Sequence, residues 1–145
     1  MSLTPPLVDE VSQPFWDGCL AGELRMQACG SCGRLRFPPR PMCPWCRSVS
    51  VEWPVMSGLG TVWSVAVPHP PLLPAYAEVA PYNVVVVELA EDPTLRLVGN
   101  VVATPNGPLN EVDPHSIAIG DRVRVVFADP DPPDGVSMPR WVRAG

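Results

Sequence analysis

Downstream of Trp53 the chain alternates apolar and polar residues with a period of two, the signature of half-buried β-strands. "GLGTVWSVAVPH" alternates through Val62 to Val67, and "LRLVGNVVA" and "DRVRVVFAD" repeat the pattern. "YNVVVVELA" is nearly all β-branched, and "PRWVR" supplies a fifth strand. Upstream the period changes. In "DEVSQPFWDGCLAGEL" the apolar residues Val11, Phe15, Trp16, Cys19 and Leu20 recur at spacings of three and four. That predicts one amphipathic helix, with Ser12 as its cap, Pro14 in its first turn and Gly22 at its end.

The long segment "TPNGPLNEVDPHSIAIG" falls between the third and fourth predicted strands, too long for a hairpin turn. Five strands with an insert at that point follow the order of an OB-fold, a small Greek-key barrel. Closing the sheet also removes edges that so many valines would make hazardous. The connection "PHPPLLPAYAEVAPY" between the first two barrel strands is the loop that in OB-folds frames the ligand face. Trp63 and Phe127, at strand positions, are expected in the core, and Trp141 is expected to close the barrel.

Composition changes this picture little. The chain has 145 residues, 46% of them hydrophobic, enough for a core. Its 21 prolines limit helix and favour loops and edge strands. No run of about 18 apolar residues is present, so no membrane span is expected. The first residues carry neither a basic nor an apolar leader region, so no secretory signal is read and a cytoplasmic location is expected, where thiols stay reduced.

The cysteines change it a great deal. Four of the five fall in "CGSCGRLRFPPRPMCPWC", as Cys29-x2-Cys32 and Cys43-x2-Cys46. A CxxC turn brings two thiolates onto one metal, and two such turns complete a tetrahedral shell. Two disulfides would use the same four residues, but Cys19 would be left odd and no secretory signal supports them. Iron takes the same four-thiolate geometry, so the spacing leaves iron open beside zinc, the commoner occupant. "ELRMQAC" and "LRFPPRP" read as strands entering and leaving the first knuckle, with Gly30 and Gly33 in the turn. So small a ribbon buries little core, and the metal is expected to supply most of its folding free energy. With four thiolates no position is left open for water, so the site is structural and not catalytic.

At these residues the chain resembles a known family, the acyl-CoA-associated zinc-ribbon/OB-fold proteins long catalogued as domain of unknown function number thirty-five. The resemblance runs from about Phe15 to Arg143 and is carried by "FWDGCLAGELRMQACGSCGRLRFPPRPMCPWC", "GLGTVWSVAVPH", "APYNVVVVELAED", "LVGNVV", "IAIGDRVRVVF" and "PRW". It implies a mainly β chain: an N-terminal helical arm (1–23), a rubredoxin-like zinc ribbon (24–53) and a C-terminal five-stranded OB-fold barrel (54–145). It matches Cys29, Cys32, Cys43 and Cys46 to the family's structural Zn2+ ligands. It also implies a non-catalytic subunit bound to a thiolase-superfamily enzyme acting on acyl-CoA, among them thiolases, acyltransferases and the lipid-transfer-type aldolases of steroid degradation. The chain departs from the family at "ELAEDPTLRL", where members carry a glycine turn and Asp92 and Pro93 stand instead.

Two other functions compete with that implication. An OB-fold with a zinc ribbon suits a single-stranded nucleic-acid binder, which tracks phosphates with a cationic groove. Here the barrel region 54–145 holds five arginines against ten acids, while region 23–53 holds five arginines against two glutamates. A metal with four thiolates adds about −2 to the ribbon, so little cationic stripe remains. The second rival is a stand-alone acyl-CoA-binding protein. Autonomous catalysis lacks a residue set: there is no lysine, the only histidines are His69 and His115, and no GxSxG, HExxH or phosphate-binding glycine loop occurs. Asp113 and His115 make a dyad without a nucleophile, and Cys19 reads as a buried structural thiol. Candidate contacts with a partner or a CoA ester are Arg36, Trp45, His69, Tyr76 and Tyr82. Arginines suit acidic groups and phosphates, and amphipathic aromatics suit a pantetheine or a protein surface.

Overall fold

The computed structural model describes residues 3–133 and 135–144. Helix α1 (Gln13–Leu20) leads into three short strands, β1 (Gln27–Cys29), β2 (Leu35–Arg36) and β3 (Val51–Glu52), which form an antiparallel sheet in the order β2-β1-β3. The barrel follows: β4 (Leu59–Ala66), β5 (Val84–Leu89), β6 (Asp92–Gly99), β7 (Arg122–Phe127) and β8 (Pro139–Arg143), in the order β6-β5-β4-β7-β8. A four-residue helix α2 (Pro74–Ala77) sits in the β4–β5 connection, and a 3-10 turn (Pro114–Ser116) sits in the insert before β7.

The predicted helix is there, with its end as expected and its start different. Gly22 N–H donates to Cys19 O (3.1 Å) and Glu23 N–H to Gly18 O (2.8 Å), the paired bonds that finish a helix. Ser12 makes no side-chain cap. Asp9 takes that task one turn earlier: its Oδ1 accepts from Ser12 N–H at 2.8 Å, and Ser12 Oγ accepts from Asp9 N–H at 3.2 Å. Those bonds hold the Asp9 carboxyl below its usual range, the Ser12 N–H first. Phe15 and Cys19 face inward.

Closure of the sheet is the OB-fold step. A parallel bridge joins Val101 to Trp141, with Val102 N–H to Trp141 O at 2.8 Å and Trp141 N–H to Asn100 O at 3.0 Å. The fully buried Asn83 helps: its side chain imitates a strand neighbour, donating to Val101 O (2.9 Å) and accepting from Val101 N–H (2.7 Å). One buried cluster joins the helix and the segment entering the ribbon to the barrel, beside a second, smaller cluster of Tyr82, Val102 and Leu109. Phe15, Leu24 and Met26 belong to the same buried cluster as Val62, Val85, Val87, Leu95 and Trp141. Phe127 packs against this cluster at its edge, as expected.

Trp63 corrects the expectation of a core residue, since it is 47% exposed. Gly60 and Val62 are buried and Thr61 and Trp63 point out; a β-bulge at Trp63 then resets the phase, so that Val65 instead packs inward. Arg96 lies over the outward ring at 4.0 Å. The β5–β6 hairpin closes without the glycine of the family pattern. A second register shift absorbs Pro93, which has no N–H to give the ladder. Asp92 Oδ1 ties the turn by accepting from Thr94 N–H (2.9 Å) and Thr94 Oγ (2.7 Å).

Candidate functional site

The ribbon brings its four cysteines together from two matching turns. In each, the residue after the second cysteine adopts positive φ, Gly33 at 77° and Arg47 at 65°. In each, its N–H donates to the carbonyl of the first cysteine at 2.9 Å, Gly33 to Cys29 and Arg47 to Cys43. This left-handed step curls the backbone so that both thiols of a CxxC point one way. Arg47 does it at a cost that glycine would not bear. Replacing Arg47 with Gly is expected to raise the unfolding free energy by less than about 1 kcal/mol, read as a small rise in denaturant midpoint with the metal still bound.

The sulfurs of Cys29, Cys32, Cys43 and Cys46 all lie within 4.8 Å of one another, with Cys29–Cys46 at 3.4 Å and Cys32–Cys43 at 3.7 Å. A zinc ion with four thiolates about 2.3 Å away sets its sulfurs roughly 3.8 Å apart, so this cage is of the right size. None of the cysteines is in a disulfide. The Cys29 sulfur accepts the N–H groups of Cys32 and Ser31, each at 3.4 Å, which bring its thiol down to about 6, the Cys32 amide contributing most. A cage with four protein ligands leaves no open position, so the chemistry a bound ion supplies here is cross-linking of the fold.

The candidate contact residues split between two places. One is a groove of about 190 Å³ where the second knuckle meets the β5–β6 hairpin, lined by Leu35, Arg36, Arg40, Trp45, Thr94 and Leu95. Trp45 is 52% exposed, with the Arg34 guanidinium 5.1 Å from its ring. Arg36 is only 4% exposed. The other place is a cleft of about 420 Å³ between the β4–β5 connection and β8, lined by Leu3, Tyr76, Tyr82, Val98, Met138 and Arg140. Tyr82 is buried there, its ring 6.1 Å from that of the half-buried Tyr76. His69 is exposed in the connection and lines neither. Sequence reasoning missed Arg140, whose burial lowers its pKa while Tyr76 opposes the shift. Nothing local marks it out in an alternating strand.

Catalytic candidates are not brought together among the described residues. The Asp113 carboxylate accepts from the backbone N–H of His115 (3.0 Å), so it builds a turn and does not orient an imidazole. Burial pushes the Cys19 thiol up to about 12, far from a nucleophile's range.

Comparison with known proteins agrees with this geometry. The family profile described as "ChsH2, rubredoxin-like zinc ribbon domain" matches residues 16–52, and "ChsH2, C-terminal OB-fold domain" matches residues 53–128. The chain belongs to the ChsH2 zinc-ribbon/OB-fold family. A "3-oxo-4,17-pregnadiene-20-carboxyl-CoA hydratase alpha subunit" of Mycobacterium tuberculosis is 39% identical over 115 residues, covering 79% of this chain and 33% of that protein. The chain thus spans about a third of the length of the hydratase subunits it matches. A "DUF35 domain-containing scaffold protein" of Methanothermobacter thermautotrophicus is 37% identical over 100 residues, covering 68% of this chain and 67% of that one. Among solved structures, the "Ltp2-ChsH2(DUF35) aldolase" contains a chain that superimposes with a TM-score of 0.81 at 31% identity, over 97% of this chain and 99% of that one. The ribbon of the ChsH2 family is a zinc ribbon, and the four-sulfur cage here fits that metal. Among the described residues no helix is long and apolar enough to cross a membrane.

Proposed function

We propose that this chain is a non-catalytic subunit that binds a thiolase-fold enzyme acting on acyl-CoA thioesters and activates or stabilises it. The observation that carries the reading is the likeness over nearly the full length to the ChsH2-type chain of an aldolase. The relatives described as scaffold proteins support the same reading. Chemistry then resides on the partner: retro-aldol cleavage of a steroid or lipid side chain, or acyl transfer. What this chain contributes is ordering of loops around the substrate and exclusion of water. Its described residues supply neither an open metal position nor a nucleophile with a base. The match covers about a third of the hydratase subunits' length, so the activity in their names is not carried over to this chain.

Arg36, Trp45, His69 and Tyr76 are the contacts we assign to the partner or its thioester, Arg36 from beneath the wall of its groove, and Tyr82 backs them from inside the chain. The ribbon also exposes Met42 (50%) and Val49 (71%) near Trp45 in sequence, an apolar set suited to a protein surface. Arg122 and Arg124 are exposed on the outer sheet face, but the barrel region holds ten acids against five arginines, so binding of single-stranded nucleic acid is disfavoured. Arg96 pairs with Glu88 at 3.3 Å and covers Trp63, the ring a base would stack on. The thiol cage also fits a reducing cytoplasm. The test is co-expression of the two chains, followed by turnover of acyl-CoA by each alone and by both together.

A further inference from the structure

Arg36 is buried without enough acceptors. Its Nη2 donates to Arg40 O at 3.1 Å, while Nε and Nη1 have no hydrogen-bond partner. Arg40 O already accepts from Gln27 Nε2 (2.8 Å), and Gln27 Oε1 is taken by Arg40 N–H (2.7 Å). Ion pairs among the described residues join Arg25 to Glu23 and Arg96 to Glu88; Arg34, Arg36, Arg40 and Arg47 have no carboxylate partner there. A buried guanidinium lacking acceptors destabilises the fold if nothing ever meets it.

Resting on the reading of this chain as a partner-binding subunit, we infer that the groove beside Trp45 is a carboxylate socket: an Asp or Glu side chain of the partner enzyme enters it and accepts from Arg36. The size and charge select this occupant. A groove of about 190 Å³ walled by Leu35, Phe37, Pro44, Trp45 and Leu95 takes a carboxylate on a short stem. A phosphate dianion asks for several converging donors, more than the two unmatched nitrogens of Arg36 supply, whereas a carboxylate has two oxygens to meet them. The unmatched nitrogens are shut off from water, so one wall must move to admit the carboxylate. Trp45 is the wall free to do so, half exposed and flanked by the Arg34 guanidinium. Once inside, the pair is out of water and ringed by apolar groups, the setting in which a single charge pair dominates an interface.

The test compares the full chain and its Arg36→Met variant, each metal-loaded, for thermal midpoint alone and for affinity toward the thiolase-fold enzyme that co-purifies with the wild type. We expect the midpoint of the free variant to be unchanged or higher, because an unpaired buried charge has been removed, and the affinity to fall at least tenfold. A midpoint that holds with affinity unchanged overturns the inference. If the variant does not fold, the wild-type complex is challenged with sodium formate against sodium chloride at equal ionic strength. Formate should weaken the complex several-fold more than chloride; equal effects overturn the socket. No complex with the wild type at all would remove the accessory-subunit reading and this inference together, whereas a complex insensitive to Arg36 removes this inference alone.

Discussion

Stripping the metal, or replacing Cys29 with Ser, should unfold the ribbon and take much of the molecule with it. The strands of the ribbon are two or three residues long, and β3 is exposed along its length. Such strands do not persist on their own hydrogen bonds. Structural zinc supplies apparent binding free energies of about 10–16 kcal/mol at neutral pH, comparable to the whole stability of a domain, roughly 5–15 kcal/mol. The loss does not stay local, because Leu24 and Met26 of the segment entering the ribbon lie in the same buried cluster as the barrel valines. We expect one equivalent of zinc per chain by elemental analysis, and its release by chelator or by acid, which competes for the thiolates. Circular dichroism of the stripped chain should lose its sharp thermal transition. A metal-free chain that melts at the same temperature would refute this.

Trp141→Ala should be the most damaging single change in the barrel. Trp141 is 1% exposed and the largest of the fully buried side chains. It sits where the sheet closes, on the parallel bridge to Val101, and packs so closely on Gly99 that a Cβ there would meet its ring at 3.0 Å. Truncating a buried Trp costs about 3–5 kcal/mol, and here the cavity opens at the barrel seam. Trp63→Ala is the control. Its ring is outside, held by Arg96, and an exposed cation–π contact contributes only about 0.5–1 kcal/mol. Urea midpoints of the two variants measure the difference; equal midpoints would mean that the barrel does not depend on its seam.

These two tryptophans also show how far the sequence could be read. All five barrel strands and the helix were legible because their burial patterns have periods of two and near four, which a chain carries openly. The four cysteines were legible because a tetrahedral cage dictates CxxC spacing. Trp63 was not, since its outward position lies at a bulge, and a bulge is a relation between two strands. The hairpin at Asp92 lacked its glycine signal because the side chain of Asp92, bonding to Thr94, replaces the usual turn chemistry. The capping role of Asp9 was hidden by Ser12, an equally plausible cap. Least legible were Arg36 and Arg140. Their burial arises only when a hairpin from the barrel covers the ribbon, or when the β4–β5 connection folds toward β8, and no local pattern records such a meeting.

The central claim is the division of labour between two chains, and a titration tests it most directly. The proposed partner, a thiolase-fold enzyme held at fixed concentration with an acyl-CoA substrate, is titrated with this chain while product release and association are followed together. The account predicts no turnover by this chain alone, weak or absent turnover by the partner alone, and activity that rises with complex formation to a plateau at a fixed ratio of chains. Full activity of the partner without this chain, or cleavage or transfer of acyl groups by this chain by itself, would contradict it.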